Sequence, residues 1–348
     1  MGGDTAPIRD EERFDEDRVG GYLRSVIPEF ESASPLEFAQ FQGGHANLTY
    51  VVKTGEMELV LRRPPLGEVA PGSHDMAREH RVLSVLYEVY PLAPRAFHYC
   101  EDASIMGKPF FVMERRNGTV VRGAWPDSLP DDDRVRKEVG ESFVNAIAAL
   151  HRVDYEELGL ADLGRPDGFV SRQVAGWTDR WNRARHDDVP DMERLATALA
   201  DTIPTPQRAS LLHNDFKLDN TMVSEDGRLV AVFDWDMSTV GDPLVDLGAT
   251  LAYWEGPAEA AVLTHPDHQV LGGIIDADEI VAAYERQTGL DCYSISWYRA
   301  LASFRIAVIL QQIYIRYVRG QTTDERFAAL GTVVPPIAAE GLRLLGKR

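Results

Sequence analysis

The sequence predicts an α+β bilobal fold, with a small amino-terminal lobe of antiparallel strands and a larger, mainly helical carboxy-terminal lobe. The first observation is a series of short β-rich runs divided by glycine turns between residues 36 and 63, which is typical of antiparallel strands. The second is the helical spacing of apolar residues through most of the chain after residue 131. The third is the length of 348 residues, which suits one large domain or two lobes.

The amino-terminal elements follow from local patterns. Residues 1–17 are polar and acidic, so we expect a loosely ordered arm that leads into a helix over residues 18–27. Apolar residues at helical spacing predict another helix over residues 74–89. Strands are expected over residues 38–41, 48–53, 58–63 and 110–114.

The carboxy-terminal part is expected to be helical except for one hairpin. The acidic run Asp131-Asp132-Asp133 caps a helix. Helices are expected over residues 135–151, 172–185, 192–199, 277–288 and 296–319, and hairpin strands over residues 221–224 and 229–235. We therefore divide the chain into an arm and helix (1–35), an N-lobe (36–116) and a C-lobe (117–348).

Composition excludes several classes of protein. The chain has 36 basic and 55 acidic residues, a net charge of −19, which disfavours sequence-independent nucleic-acid binding. Cys100 and Cys292 give no disulfide framework. The first residues have no apolar signal region, and the apolar stretch over residues 304–315 is too short and interrupted to span a bilayer. We expect a cytoplasmic protein without a membrane partner.

One stretch carries most of the groups that suggest chemistry, the run His213-Asn214-Asp215-Phe216-Lys217-Leu218-Asp219-Asn220. Asp215 precedes Asn220 by five residues on an expected loop, and Lys217 follows Asp215 by two. After the hairpin, Asp234 ends an apolar strand, where a carboxylate is costly unless it is paired or holds a metal ion.

These residue types at this spacing suit phosphoryl transfer from a triphosphate. A carboxylate, here Asp215, can accept the proton of an attacking hydroxyl. Mg²⁺ prefers hard oxygen ligands, which Asn220 and Asp234 would supply. Lys217 would be the cation that stabilises the charge developing on the γ-phosphate. The template His-x-Asp-x-x-x-x-Asn, a hairpin and a second Asp is typical of a kinase catalytic loop and its metal ligand.

On this run, together with Asp234-Trp235-Asp236 and Gly241-Asp242-Pro243, the chain resembles the aminoglycoside phosphotransferase superfamily, the choline-kinase-like or protein-kinase-like small-molecule kinases. The resemblance covers roughly residues 36–320 and extends to a branch that includes the kinase domains fused to certain acyl-CoA dehydrogenases. It implies a protein-kinase-like fold, ATP as co-substrate in the cleft between the lobes, Mg²⁺ as cofactor, and transfer of the γ-phosphoryl group to a hydroxyl of a small molecule.

The resemblance also implies an ATP-binding loop, a strand cation and a hinge. The loop over the phosphates would comprise Gly43, Gly44, His45, Ala46 and Asn47, whose backbone amides could face phosphate. Arg62 stands where the family has a phosphate-contacting lysine, and arginine can grip phosphate with two nitrogens. Glu79 would be the helix partner of Arg62, and the adenine ring could bond the backbone of Met113 and Glu114.

The resemblance further implies that His213 and Asp242 support the catalytic loop. Four other residues stay open. Asp236 is either a second metal ligand or a loop cap, and Trp177 and Trp181 are either core residues or face a substrate. Arg305 sits in an apolar helix and needs a partner, for instance an acidic group near the catalytic loop.

The acceptor and two other functions also stay open. An acidic pocket would suit a cationic aminoglycoside, whereas the dehydrogenase-fused branch favours a hydroxylated metabolite such as a hydroxyacyl-CoA. A CoA thioester would need a basic patch, which Arg180, Arg183 and Arg185 could supply. A nucleotide-binding pseudokinase with a regulatory role is the main alternative. A metal-dependent hydrolase that uses Asp215 and Asp234 would not explain the glycine loop or the Arg62 strand.

Overall fold

The computed structural model describes residues 4–30, 35–42, 47–55, 57–67, 74–256, 267–322 and 324–346. The chain forms two compact units, Met1–Asn117 with Val230–Ser238, and Gly118–Leu229 with Thr239–Arg348. We call the first the β unit, because it contains a six-stranded sheet, and the second the helical unit. The predicted α+β class, with an antiparallel β part and a larger helical part, is confirmed.

The sheet of the β unit is antiparallel, with the strand order β1-β2-β3-β4-β6-β5. The strands are β1 (Thr5–Ala6), β2 (Glu37–Phe41), β3 (Leu48–Thr54), β4 (Met57–Arg63), β5 (Ala96–Cys100) and β6 (Phe110–Glu114). The expectation of a loosely ordered arm is wrong from Thr5 onward, because β1 pairs with β2. The side chain of Gln40 also holds the arm, since its Oε1 accepts the backbone N–H of Arg9 at 3.1 Å.

Three helices accompany this sheet, α1 (Glu16–Val26), α2 (Met76–Leu86) and α3 (Ala103–Met106). The side chains of Asp15 and Asp75 accept backbone N–H groups in the first turns of α1 and α2, so each helix starts with a satisfied cap. Helix α1 buries Val19 and Leu23 in the core of the unit. Helix α2 differs because it also buries Glu79, a carboxyl that needs a polar partner there.

The register of β4 sends two adjacent arginines to opposite faces of the sheet. Arg63 is 1% exposed and donates to the hydroxyl of Tyr50 and the backbone oxygen of Met106, both at 2.7 Å. Arg63 therefore stabilises the core of the β unit. Arg62 is the residue of the pair that reaches helix α2.

The helical unit is built from eight helices within the described residues. They are α4 (Asp133–Leu150), α5 (Phe169–Ala184), α6 (Pro190–Asp201), α7 (Pro243–Trp254), α8 (Asp267–Val270), α9 (Ala277–Thr288), α10 (Ile295–Val318) and α11 (Leu330–Leu345). The short strands that follow β6 are β7 (Ser210–Leu212), β8 (Thr221–Val223), β9 (Leu229–Val232) and β10 (Thr239–Gly241). Strands β8 and β9 form the expected hairpin, with Gly227 at φ 90° in its turn.

Strand pairing brings the loop after β7 beside the start of helix α7. Strands β7 and β10 are antiparallel, with Val240 opposite Leu211. Asp242 follows β10 and caps α7, because its carboxylate accepts the N–H of Leu244 at 2.9 Å. Gly248 lets α7 approach α10 closely, since a Cβ at this position would lie 2.7 Å from the backbone of Tyr298.

One segment of the described chain, Glu325–Leu345, is long and apolar enough to cross a membrane, with a mean hydropathy of 1.3. This is weak evidence, because the core helix of a water-soluble protein passes the same test. Within this segment, helix α11 buries Leu330, Val334, Ile337 and Ala338.

Candidate functional site

In the β unit, Arg62 lies between two carboxyl groups. Its Nη1 is 3.0 Å from Oε1 of Glu79 on helix α2, and its Nη2 donates to Oδ1 of Asp234 after strand β9. Arg62 is 7% exposed and Glu79 is 1% exposed. The guanidinium therefore joins a strand, a helix and a distant segment of the chain through charge-assisted hydrogen bonds.

Asn47 and His74 extend this Arg62 cluster. With its amide oxygen turned toward Arg62, Asn47 accepts from Nη2 at 2.6 Å and donates to Nδ1 of His74 at 2.8 Å. The backbone N–H of His74 donates to Oδ2 of Asp236 at 3.2 Å. Asp236, which the sequence left open between metal ligand and loop cap, thus binds loop backbone in the β unit.

The Arg62 cluster contains more carboxyl groups than cations. Burial raises the pKa of Glu79, Arg62 lowers it, and Asp234 and Asp236 raise it again, so that it reaches about 8. Burial and the charge of Asp234 also raise the pKa of Asp236. Burial alone would lower the pKa of Arg62, but the surrounding carboxylates raise it, so the arginine stays charged.

The raised pKa of Glu79 predicts that the protein loses stability as the pH rises. The native state keeps the proton of Glu79 to about pH 8, whereas the unfolded chain releases it near pH 4.5. The stability that protonated Glu79 contributes is therefore fully present below the pKa of the unfolded chain, and it is lost as the pH rises through the pKa of the native state. We expect the free energy of unfolding of wild type to fall between pH 5 and 9 relative to Glu79→Gln, measured by chemical denaturation.

The exposed Glu88 provides a matched control for this substitution. Glu88→Gln is expected to follow the wild-type pH profile, because it leaves the buried cluster intact. Parallel profiles for wild type and Glu79→Gln would show that Glu79 is already ionised at neutral pH, against the expectation.

In the helical unit, Asp215 and Asn220 are directly bonded. Nδ2 of Asn220 donates to the backbone oxygen and to Oδ2 of Asp215, each at 2.8 Å. Nζ of Lys217 lies 3.1 Å from the same Oδ2. Because the amide nitrogen of Asn220 is committed to Asp215, its Oδ1 is the side-chain atom that can bind a cation.

Tyr253, at the end of helix α7, completes this group and was not identified from the sequence. Its ring lies 5.1 Å from Nζ of Lys217. Burial and the hydrogen-bonded carboxylate of Asp215 raise the pKa of Tyr253 to about 12. Burial alone would lower the pKa of Lys217, but Asp215 and Tyr253 raise it. Lys217 therefore stays charged and Tyr253 stays a donor at neutral pH.

Asp246 holds the backbone of the loop over residues 213–220, a role that the sequence did not predict. Its fully buried carboxylate accepts the N–H of His213 at 2.7 Å and the N–H of Asn214 at 2.9 Å. His151 Nε2 lies 3.2 Å from it. Burial alone would raise the pKa of Asp246, but the bonds and charges of these histidines and the loop N–H lower it. The acid thus remains ionised beneath the loop.

His213 and Asp242 occupy different places around this loop. Nδ1 of His213 accepts the backbone N–H of Asp215 at 3.2 Å, so the ring contacts the loop directly. Asp242 caps helix α7 and accepts the hydroxyl of Tyr298 at 2.6 Å. Asp242 therefore holds the start of helix α7, and the same helix carries Asp246.

Backbone strain is concentrated at these two groups. Among the described residues, the non-glycine residues with φ in the left-handed region are His74 (58°), Asn214 (67°) and Asp234 (69°). Such a conformation costs about 1–3 kcal/mol and persists where the surrounding structure imposes it. Asn214 precedes Asp215, Asp234 binds Arg62, and His74 binds the same cluster.

The residues predicted for the phosphate loop and the adenine hinge are only partly described by the structure. Gly43, Gly44 and His45 lie outside the described residues. Met113 and Glu114 end strand β6, where the N–H of Glu114 donates to the backbone oxygen of Arg95 at 2.8 Å. Because this N–H is already bonded, an adenine ring near Met113 and Glu114 would have to bond backbone groups other than the N–H of Glu114.

Trp177, Trp181 and Arg305 also have defined surroundings. Trp181 is 2% exposed, as expected for a core residue. Nη2 of Arg305 donates to the backbone oxygen of Asn214 at 2.9 Å. Its partner is thus a loop carbonyl and not the acidic group that the sequence suggested. Arg305 and Arg180 both lie over the ring of Trp177, with centroid distances of 5.5 and 4.3 Å.

The side chains fit a magnesium ion in their chemistry. Among the described residues no group of three or more His, Cys, Asp or Glu side chains is gathered for a metal. Mg²⁺ needs only one or two protein oxygens when it also binds substrate phosphates. The amide nitrogen of Asn220 is bonded to Asp215, and its amide oxygen has no hydrogen-bond partner among the residues that the structure describes. Asp234 belongs to a cluster whose surplus of carboxyl groups a divalent cation would neutralise.

A sequence model described as "Phosphotransferase enzyme family" matches residues 37–280, well over half of the chain. The chain belongs to this family. A solved structure from Ralstonia eutropha JMP134, described as a putative aminoglycoside phosphotransferase, supports the assignment. It is 32% identical, covers 96% of this chain and 99% of that one, and superposes with a TM-score of 0.81. The predicted membership in a family of small-molecule phosphotransferases and the protein-kinase-like fold are confirmed.

Two further proteins are similar to this chain. "Acyl-CoA dehydrogenase family member 11" of Rattus norvegicus is 33% identical over 98% of this chain. The chain spans 44% of that relative's length, less than half of the whole protein. A thermostable mutant of aminoglycoside phosphotransferase APH(4)-Ia, in ternary complex with AMP-PNP and hygromycin B, is 19% identical. It covers 93% of this chain and 98% of its own, with a TM-score of 0.59, which shows a common fold.

Proposed function

We propose that this phosphotransferase transfers the γ-phosphoryl group of ATP to a hydroxyl of a small molecule and requires Mg²⁺. The observation that carries the proposal is the group on the catalytic loop. There the carboxylate of Asp215 is oriented by Asn220 and faces the charged Lys217 at 3.1 Å. A base, a cation and an amide oxygen on one short loop are the groups that phosphoryl transfer needs.

In the proposed reaction, Asp215 takes the proton of the acceptor hydroxyl as its oxygen attacks the γ-phosphorus. The new O–P bond forms while the bond between the γ-phosphorus and the β,γ-bridging oxygen breaks, and ADP leaves. Lys217 stabilises the charge on the transferred group. When bound through Asn220 and Asp234, Mg²⁺ would neutralise negative charge on the phosphates.

The roles of the ATP-binding residues are also part of this proposal. Arg62 would contact the phosphates, with Glu79 holding its guanidinium in place. Gly43, Gly44, His45 and Asn47 would form the phosphate loop. Met113 and Glu114 would form the adenine hinge through backbone groups other than the N–H of Glu114, which is bonded to Arg95. The APH(4)-Ia complex with an ATP analogue supports the choice of nucleotide by its common fold. A cytoplasmic location, where ATP is available, is consistent with this reaction.

A regulatory pseudokinase is the second candidate, and one observation favours it. Arg62 replaces the lysine of the family and already binds Asp234, the proposed metal ligand. In an active enzyme this contact must loosen when the nucleotide and metal bind. In a pseudokinase it would persist and keep Asp234 from the metal.

An ATP-consumption assay separates these functions. We expect purified protein to release ADP when a suitable hydroxylated acceptor is added, with little release in its absence. EDTA should abolish the reaction and excess Mg²⁺ should restore it, because both proposed ligands are oxygen donors. Nucleotide binding without ADP release from any member of a broad acceptor library would support the pseudokinase instead.

A further inference from the structure

Helices α5 and α10 place three arginines and a tryptophan next to the catalytic loop. The guanidinium of Arg180 lies 4.3 Å from the ring centroid of Trp177, and that of Arg305 lies 5.5 Å from the same centroid. Arg183 is one turn further along α5. We call Trp177, Arg180, Arg183 and Arg305 the arginine cluster. All four lie in the helical unit.

No carboxylate neutralises the arginine cluster within the described part of the chain. Nε of Arg183 donates to the backbone oxygen of Asp179 at 3.1 Å, and Nη2 of Arg305 donates to the backbone oxygen of Asn214 at 2.9 Å. Arg185, by contrast, has a carboxylate partner, because its Nη1 lies 2.7 Å from Glu193. Arg180 and Arg183 are exposed, so both guanidinium groups can bind an anion from solution.

The charges of the cluster are close enough to repel one another. Burial lowers the pKa of Arg180, and the charges of Arg305 and Arg183 lower it further. Arg305 is 9% exposed, and its Nε is a buried donor without a hydrogen-bond partner. An unsatisfied buried donor of a charged group is costly. A bound anion would relieve both the repulsion and the unsatisfied donor.

The arginine cluster adjoins the proposed base. Arg305 binds the carbonyl of Asn214, the residue before Asp215. Tyr253 lies near both groups, because the carboxylate of Asp215 raises its pKa and the charge of Arg305 lowers it. An anionic group held at the cluster would therefore sit a short distance from the carboxylate that receives the hydroxyl proton.

We propose that the acceptor is a hydroxylated anion, whose carboxylate or phosphate group is bound by the arginine cluster while its hydroxyl faces Asp215. This inference rests on the proposed function and specifies its substrate class. It disfavours a cationic aminoglycoside, which would meet three like charges at this place.

An acceptor panel tests the substrate class. Hydroxy fatty acids with the hydroxyl at successive chain positions are assayed as free acids, as neutral methyl esters and as CoA thioesters, beside cationic hygromycin B. We expect an anionic member to give the highest kcat/KM, at least tenfold above its methyl ester. If the free acids are the better acceptors, the arginine cluster binds the acceptor's carboxylate. If the CoA thioesters are better, the cluster binds the phosphates of CoA. A neutral or cationic compound as the best acceptor would overturn the inference.

Arginine variants test the assigned residues. Arg180→Gln and Arg183→Gln are each expected to raise the KM for the anionic acceptor about tenfold, and the double variant more. The kcat and the KM for ATP should change little, which distinguishes anion binding from a structural role. Arg194→Gln, which removes an exposed arginine paired with Asp191 on helix α6, is the matched control. Unchanged acceptor KM in the double variant would contradict the proposal.

Two readouts separate failure of this inference from failure of the proposed function. The wild-type KM for the anionic acceptor should rise with KCl concentration, because salt screens exposed charges. Binding of a non-reactive carboxylate or phosphate analogue is followed by thermal shift without ATP. Analogue binding that Arg180→Gln abolishes, in a protein without kinase activity, would refute only the proposed function. If a neutral acceptor is turned over, and neither KCl nor either arginine variant changes its KM, only this inference is refuted.

Discussion

Replacing Arg62 with methionine is expected to lower the free energy of unfolding by about 3–5 kcal/mol, the usual cost of removing one partner from a buried ion pair. The variant loses the bonds to Glu79 and Asp234 and leaves a group of carboxyl groups without a cation. Glu79 would keep its proton to a higher pH, so the loss should grow as the pH rises. Chemical denaturation at pH 6 and pH 8 measures both effects.

Arg62→Lys separates charge from geometry. Lysine keeps the positive charge, but its single ammonium cannot span two carboxylates as the planar guanidinium does. We expect a loss of about 1–2 kcal/mol, corresponding to one weakened charged hydrogen bond. The double variant Arg62→Met/Glu79→Met should be more stable than Arg62→Met, because it removes the orphaned carboxyl together with its partner.

Arg63 provides the control for nucleotide binding. It is as deeply buried as Arg62, but its partners are the hydroxyl of Tyr50 and the backbone oxygens of Met106 and Glu12. Arg63→Met should also destabilise the protein, yet leave the dissociation constant of a fluorescent ATP analogue unchanged in the folded protein. Arg62→Met should weaken that binding at least tenfold, the effect of about 1.4 kcal/mol. Equal affinities of the two variants for the ATP analogue would contradict the proposal that Arg62 binds the nucleotide.

Local patterns predicted most of the elements because each depends on residues that are close in sequence. The strands β3, β4 and β6 and the helices α4, α9 and α10 lie within a few residues of their predicted bounds. Helix α11 was missed, since it contains Pro335 and Pro336, which normally argue against a helix interior. Strand β1 was missed because only its pairing with β2 distinguishes it from an acidic arm.

The candidate site divides in the same way. The spacing of Asp215, Lys217 and Asn220 is local, and the sequence identified it as one group. The contacts of Asp234 with Arg62, 172 residues earlier, and of Asp246 with His213, 33 residues earlier, depend on tertiary structure. The sequence could have indicated the role of Asp246, because an aspartate in an apolar helix is buried and such a charge must find polar partners. Nothing local indicated Tyr253.

Replacing Asp215 with asparagine is expected to lower kcat about 10²–10⁴-fold, the usual contribution of a general base. The amide is nearly isosteric, so it fills the same space beside Asn220 and Lys217, but it cannot take the proton of the acceptor hydroxyl. The KM for ATP should stay within about twofold, because an interaction made only in the transition state affects kcat and not uniform binding. Steady-state ADP release, with the acceptor saturating, measures both constants.

Asp219 on the same loop allows a matched test of this assignment. Its side chain is 38% exposed and its carboxylate lies 3.7 Å from Arg122, so Asp219→Asn makes the same chemical change away from the proposed base. We expect near wild-type kcat from this variant. A comparable fall in both variants would mean that loss of negative charge on the loop, and not loss of a proton acceptor, slows the reaction.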